Sequence, residues 1–192
     1  MSRPAGPGRA PDAEAGSSPA GARDRRGRRL LGDDEHAVRD AALRRLEVRD
    51  RSRAELERTL AERGADQAVT ARVLASLEAA GLVDDDAFAH RWVESRHRTR
   101  GLGRAVLRQE LRRHGVDDAL AGRALEQVGA EDERDAALDL ARRRLPSLAR
   151  LAPEVARRRL VGQLARRGHP PSVAVAVADE VLGESDEGVD AL

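Results

Sequence analysis

Cysteine, lysine and tyrosine are absent from this chain, and Phe88, Trp92 and Met1 are each the sole residue of their type. Without cysteine there is no disulfide framework and no thiolate nucleophile or ligand. Without lysine there is no Gly-Lys-Ser/Thr phosphate loop, so the Gly101-Leu102-Gly103 fragment reads as a helix–helix connection. The shortage of aromatics argues against a strand-rich core and against a single-strand binder that stacks bases on rings. No run approaches the roughly 18 apolar residues of a membrane span. No apolar stretch follows Arg3 and Arg9 as a secretory signal would require. The expectation is a cytoplasmic protein with no membrane contact.

Catalytic patterns are missing as well. The histidines, His36, His90, His97, His114 and His169, include no i, i+4 pair and no His-Glu-x-x-His context, and read as surface residues. The few serines lack a Gly-x-Ser-x-Gly setting. Asp84-Asp85-Asp86 precedes an amphipathic stretch, where carboxylates cap free N–H groups and complement the helix dipole. We therefore expect a binding protein with no catalytic residue, no metal and no cofactor.

What is present is helix-forming: alanine, leucine, glutamate and arginine. All 35 basic residues are arginine. A GC-rich coding bias accounts for that as readily as function does, but each cation is then a planar guanidinium suited to carboxylate or phosphate. Residues 1–35 are rich in Pro, Gly, Ala, Ser, Arg and Asp and read as a disordered tail. Residues 183–192, with Glu184, Asp186, Glu187 and Asp190, read as a second, acidic tail.

Between the tails lies a repeat. Taking Gly64, Gly115 and Gly168 as equivalent, the residue eight before is Leu56, Leu107 or Leu160, and the residue four before is Leu60, Leu111 or Leu164. Five after come Val69, Leu120 and Val173, nine after Val73, Ala124 and Val177, and thirteen after Leu77, Val128 and Val181. A fixed period of this size marks a repeat architecture. Each glycine follows an i, i+4 apolar pattern and precedes a new one, as a helix-ending C′ residue does. Asp66 and Asp117 follow as N-caps, Pro170 and Pro171 do the same in the third copy, and Ser52 with Glu55 has capping-box spacing. Upstream amphipathic sets (Ala42, Leu43, Leu46; Phe88, Trp92, Val93; Leu138, Ala141, Leu145) complete three helices per copy. The predicted fold is all-α: three tandem three-helix repeats over 36–83, 84–130 and 131–182. A unit of about 50 residues is marginal alone, so neighbours are expected to stack.

Charge is uneven along the repeats. From Arg96 to His114 seven arginines meet one acid, and from Arg142 to Arg167 nine meet one, whereas residues 44–63 hold seven against five. Arg104, Arg108 and Arg112 recur every fourth residue and form a ridge beside the Leu107 and Leu111 stripe. Such a ridge fits a phosphate backbone or an acidic protein surface, or is simply a solvated helix face.

Two segments carry a family resemblance. Residues 81–116, with Gly81, Asp84, Asp85, Phe88 and Ala89 and then Glu110, Leu111 and Gly115, resemble the RecX family of recombination regulators. Arg51, Ser52, Glu55 and Leu56 match a second signature. The resemblance spans roughly residues 37–182 and is looser in the third copy. It implies an elongated, curved array of three three-helix repeats that binds the RecA recombinase and its filament on single-stranded DNA. It further implies inhibition of filament growth, ATP hydrolysis and strand exchange. On this reading the contact residues are Arg96, Arg98, Arg100, Arg104, Arg108, Arg112 and Arg113, bonding to RecA carboxylates or DNA phosphates. Any direct DNA contact would be weak and salt-sensitive, and the chain is expected as a monomer. A direct DNA-binding protein using helix–turn–helix-like pairs and a generic helical-repeat scaffold stand as alternatives.

Overall fold

A computed structural model describes residues 30–187. The tails expected over 1–35 and 183–192 lie largely outside those residues. Among the described residues there are nine helices and no strand longer than an isolated bridge. They are α1 (Glu35–Leu46), α2 (Arg53–Ala61), α3 (Gln67–Ala79), α4 (Asp85–Arg100), α5 (Arg104–His114), α6 (Asp118–Glu126), α7 (Ala130–Leu148), α8 (Pro153–Arg166) and α9 (Pro171–Glu187).

Local chemistry sets the helix ends. The Ser52 hydroxyl accepts the Glu55 N–H, and Asp66 and Asp117 cap α3 and α6. Asp84 caps α4 by accepting from the Ala87 N–H at 2.9 Å. Pro171 opens α9, where a missing N–H is harmless. Gly64, Gly115 and Gly168 follow α2, α5 and α8 with φ of 68°, 78° and 90°, the left-handed region glycine enters freely.

Helices group in threes, each group around its own core. Leu56, Leu60, Val73, Leu74 and Leu77 centre the first. Phe88, Val93, Leu107, Leu111 and Leu125 centre the second. Leu138, Leu160, Leu164, Val177 and Val181 centre the third. The leucines four and eight residues before each repeat glycine are fully buried in all three groups.

Two expectations need correction. The N-terminal boundary moves upstream, because Leu31 is buried and the Leu31 and Gly32 N–H groups donate to the Arg63 and Gly64 carbonyls, each at 3.0 Å. At the other end α9 runs on to Glu187, so residues 183–187 are helical. Neighbouring units are in contact, as expected, though each keeps its own apolar core. They meet through helix ends, because each core is closed by its own three helices and only unsatisfied terminal N–H and C=O groups remain to be matched.

Candidate functional site

One device recurs at the repeat glycines, once inside the first unit and then at both junctions between units. The carbonyl before each repeat glycine accepts a hydrogen bond from the segment that precedes it in the array. Arg63 O accepts from the Leu31 N–H at 3.0 Å, His114 O from the Ser52 hydroxyl at 2.5 Å, and Arg167 O from the Gly103 N–H at 2.8 Å. Thus the C-terminus of α5 abuts the N-terminus of α2, and the C-terminus of α8 abuts that of α5. Opposite dipole ends meet and satisfy one another.

A carboxylate from the following unit completes each joint. The Arg53 N–H, first in α2, donates to Asp85 Oδ1 at 2.8 Å. The Arg104 N–H, first in α5, donates to Glu133 Oε1 at 2.9 Å. Asp85 therefore caps a helix of the neighbouring unit, while Asp84 caps its own. Partial burial, followed by the charge of nearby Glu78, pushes the Asp85 carboxyl above its usual range, against the pull of the Arg53 N–H.

The repeat glycines permit this close approach. A Cβ on Gly115 would lie 2.4 Å from Ala54 Cβ, and one on Gly168 would lie 2.5 Å from the Val106 nitrogen. Gly103 has an ordinary φ, yet a Cβ there would lie 2.3 Å from the Gly168 oxygen. The sequence shows these glycines as helix stops; the structure adds a packing role.

Two histidines read as surface residues belong to the junctions instead. His114 stands 3.2 Å from Glu55 and tilts against Trp92 with centroids 4.1 Å apart. Burial works against the Glu55 charge, yet Arg49, His114 and Arg51 hold its carboxyl below the usual range. His169 is buried, its Nε2 lies 3.2 Å from the Gly101 oxygen, and its Nδ1 has no partner among the described residues. Burial pushes its imidazole below the usual histidine value, against the opposing pull of Glu133 and the Gly101 carbonyl.

The seven arginines chosen from sequence separate into three environments. Arg96 lies 4.2 Å over the Trp92 ring and 3.9 Å from Glu110, so it braces α4 against α5. Arg104, Arg108, Arg112 and Arg113 lie along α5, but Arg112 forms a forked pair with Asp118 at 2.8 and 3.1 Å. That pairing raises Arg112 and lowers Asp118 from their ordinary values. Arg98 and Arg100, at the end of α4, line a cleft of about 780 Å3 between the second and third units.

Sequence reasoning missed the other wall of that cleft. Arg143 and Arg144 of α7 and Arg167 at the end of α8 face Arg98 and Arg100 across it. Arg167 donates to the Arg100 carbonyl at 2.9 Å and ties the walls together. The excess of arginine from 142 to 167 was the available signal, but its meeting with α4 depends on tertiary structure. Among the described residues no three His, Asp or Glu side chains gather as a metal site, and no helix is long and apolar enough to cross a membrane.

Comparison with known proteins agrees with the architecture. Models of the first, second and third three-helix domains of RecX match residues 39–77, 84–125 and 131–177. The third copy, looser by eye, is thus matched too. A regulatory protein RecX of Amycolatopsis mediterranei is 45% identical over 139 residues, covering 72% of this chain and 79% of its own. One from Streptomyces coelicolor is 37% identical over 182 residues, covering 95% and 96%. In fold, the crystal structure of RecX from Lactobacillus salivarius superposes with a TM-score of 0.72 at 20% identity, over 77% of this chain and 96% of that one. With three matched domains in order and relatives of this identity along the chain, it belongs to the RecX family of regulatory proteins.

Proposed function

We propose that this chain acts in the cytoplasm as a monomer that binds RecA and its filament on single-stranded DNA. By binding, it restrains filament growth, ATP hydrolysis and strand exchange, and so tempers recombination and repair. Family membership supports the regulatory role. The observation that carries the binding mode is the arginine surface of the second unit, exposed at Arg98, Arg100, Arg108 and Arg113 and half-buried at Arg104. Arg104 and Arg108 stand on α5 and Arg98 and Arg100 on α4, while Arg113 sits beside the first junction, its carbonyl accepting from Arg58 at 3.2 Å.

The physical logic is multivalency. Each unit contributes a modest contact, and a linked array makes later contacts effectively intramolecular. Guanidinium groups supply charge-assisted bonds to RecA carboxylates or to phosphates. Arg96 and Arg112 contribute by fixing α4 and α5 rather than by reaching the partner.

The test is RecA ATP hydrolysis on single-stranded DNA with and without this protein. Inhibition at stoichiometric levels is expected, and an unchanged rate would sink the proposal. Changing Arg104, Arg108 and Arg112 together to Glu should weaken filament binding at least about tenfold, because the Arg104 and Arg108 contacts become repulsive and the Arg112–Asp118 pair that fixes α5 is lost. Undiminished binding by a variant with an intact helical spectrum would remove α5 from the interface.

A further inference from the structure

The cleft between the second and third units carries more positive charge than the fold needs. Five guanidinium groups line it (Arg98, Arg100, Arg143, Arg144 and Arg167) against two carboxylates. Both carboxylates are engaged: Glu110 accepts from Trp92 Nε1 at 2.8 Å, and Asp139 lies 3.9 Å from Arg143. Arg98 has an exposed partner in Glu94 at 3.0 Å. The guanidinium groups of Arg100 and Arg144 meet no carboxylate among the described residues. Like charges held together in a concave site focus a positive potential that an anion relieves.

A second hollow extends the cleft. Arg144 and Arg167 line it too, together with Arg166 and Gln163. The Gln163 side-chain oxygen is buried there without a hydrogen-bond partner among the described residues. A buried amide left unmatched is unfavourable and marks a place where a donor belongs.

Charge alone does not separate a nucleic-acid strand from an acidic peptide, but the rest of the lining does. Leu102 and Leu140 are buried in the cores of their own units, and neither Phe88 nor Trp92 lines the cleft. Protein partners are held chiefly by aromatic and apolar anchors in desolvated pockets, and this cleft offers none. A phosphate backbone needs only cations. Guanidinium forks match phosphate oxygens, and a base-edge N–H, thymine N3–H included, supplies the donor that Gln163 lacks. We propose that the inter-unit cleft bounded by Arg100 and Arg144 binds a strand of single-stranded nucleic acid through its phosphates, with no recombinase required. His97 also lines the cleft, but its Nδ1 is engaged with the Leu102 carbonyl at 2.9 Å, so recognition rests on the phosphates, is indifferent to sequence and depends strongly on salt.

Fluorescence anisotropy of a labelled oligo-dT strand, titrated with the full chain alone, tests this. The wild type should bind saturably at low salt, with log affinity falling linearly with log salt. Changing Arg100 and Arg144 together to Gln should lower affinity about tenfold and flatten the salt slope by about 1.4, or about 0.7 per lost phosphate contact. The double change of Arg72 and Arg123 to Gln, exposed and outside the cleft, should leave the slope unaltered. Circular dichroism on each variant separates a lost contact from a lost fold. No wild-type binding at about 50 mM salt, an unaltered slope in the cleft variant, or an equal loss in the Arg72 and Arg123 variant would overturn the proposal. So would displacement of the strand by poly-glutamate more readily than by unlabelled strand. Strand binding without any effect on RecA would defeat the recombinase reading alone; the converse would defeat the cleft alone.

Discussion

At the seam between the first and second units, Arg49, Arg91 and Arg96 are answered within the seam. Arg49 meets Glu55 at 2.8 Å, Arg91 meets Asp50 at 2.6 Å, and Arg96 lies against Trp92 and Glu110. At the seam between the second and third units, Arg98 turns to an exposed acid of its own helix, while Arg100 and Arg144, on opposite walls, meet no carboxylate among the described residues. The mechanical joint is nevertheless the same in both places: a carbonyl before the repeat glycine, a helix start from the preceding unit and a carboxylate from the following one. Joining units and displaying charge are therefore separable tasks in this fold. The first seam performs one of them and the second performs both.

The strongest way to break the comparison is to fill the joints. Changing Gly168 or Gly115 to Val should each destabilise by about 3 kcal/mol or more, combining a left-handed backbone with overpacking. Gly81 also has a positive φ of 69°, but a Cβ there meets nothing within 4 Å. Gly81→Ala should therefore show only the backbone penalty, about 1–2 kcal/mol. Urea midpoints at constant slope measure all three. Equal losses at Gly81 and at the junction glycines would remove the close-approach argument.

A smaller effect should follow from removing the cross-unit caps. Asp85→Ala and Glu133→Ala should each lower stability by about 1 kcal/mol. Glu133 should show the larger loss, because it is only 5% exposed and leaves the Arg104 N–H with less access to water. An equal or reversed order would show that the second joint is no drier than the first.

The smallest expected difference is in pH dependence. His169 sits in the second seam as a neutral ring, with its proton affinity depressed by burial. As pH falls through the usual histidine range near 6.5, the unfolded chain takes up this proton before the folded one. The unfolded state then binds more protons, so stability is full above that range and falls as pH drops below it. His169→Gln should flatten this part of the profile. An unchanged slope in the variant would show that His169 does not couple the second seam to pH.

Much of this molecule was legible because its cues are local. Helix stops at Gly64, Gly115 and Gly168, caps at Ser52, Asp66 and Asp117, and buried leucines at fixed offsets each involve neighbours within one or two turns. The seams were illegible because their partners lie far apart in sequence. Ser52 reaches a carbonyl 62 residues away and His169 one 68 away. Nothing beside His114 or His169 marks either as an interface residue, so both read as surface histidines. The candidate site was half visible for the same reason. Sequence showed the arginine excess in the second and third copies and placed Arg98 and Arg100 on one helix. Only tertiary structure brings Arg143, Arg144 and Arg167 opposite them, ties up Arg112 with Asp118, and sets Arg96 over Trp92.

The central claim, a regulator that acts by engaging the recombinase filament, is met most directly by co-sedimentation with RecA filaments assembled on single-stranded DNA. The chain should pellet with the filaments in a saturable manner, and the variant with Glu at positions 104, 108 and 112 should stay largely in the supernatant. A wild-type chain that remains in the supernatant at stoichiometric filament, while retaining its helical spectrum, would contradict the account.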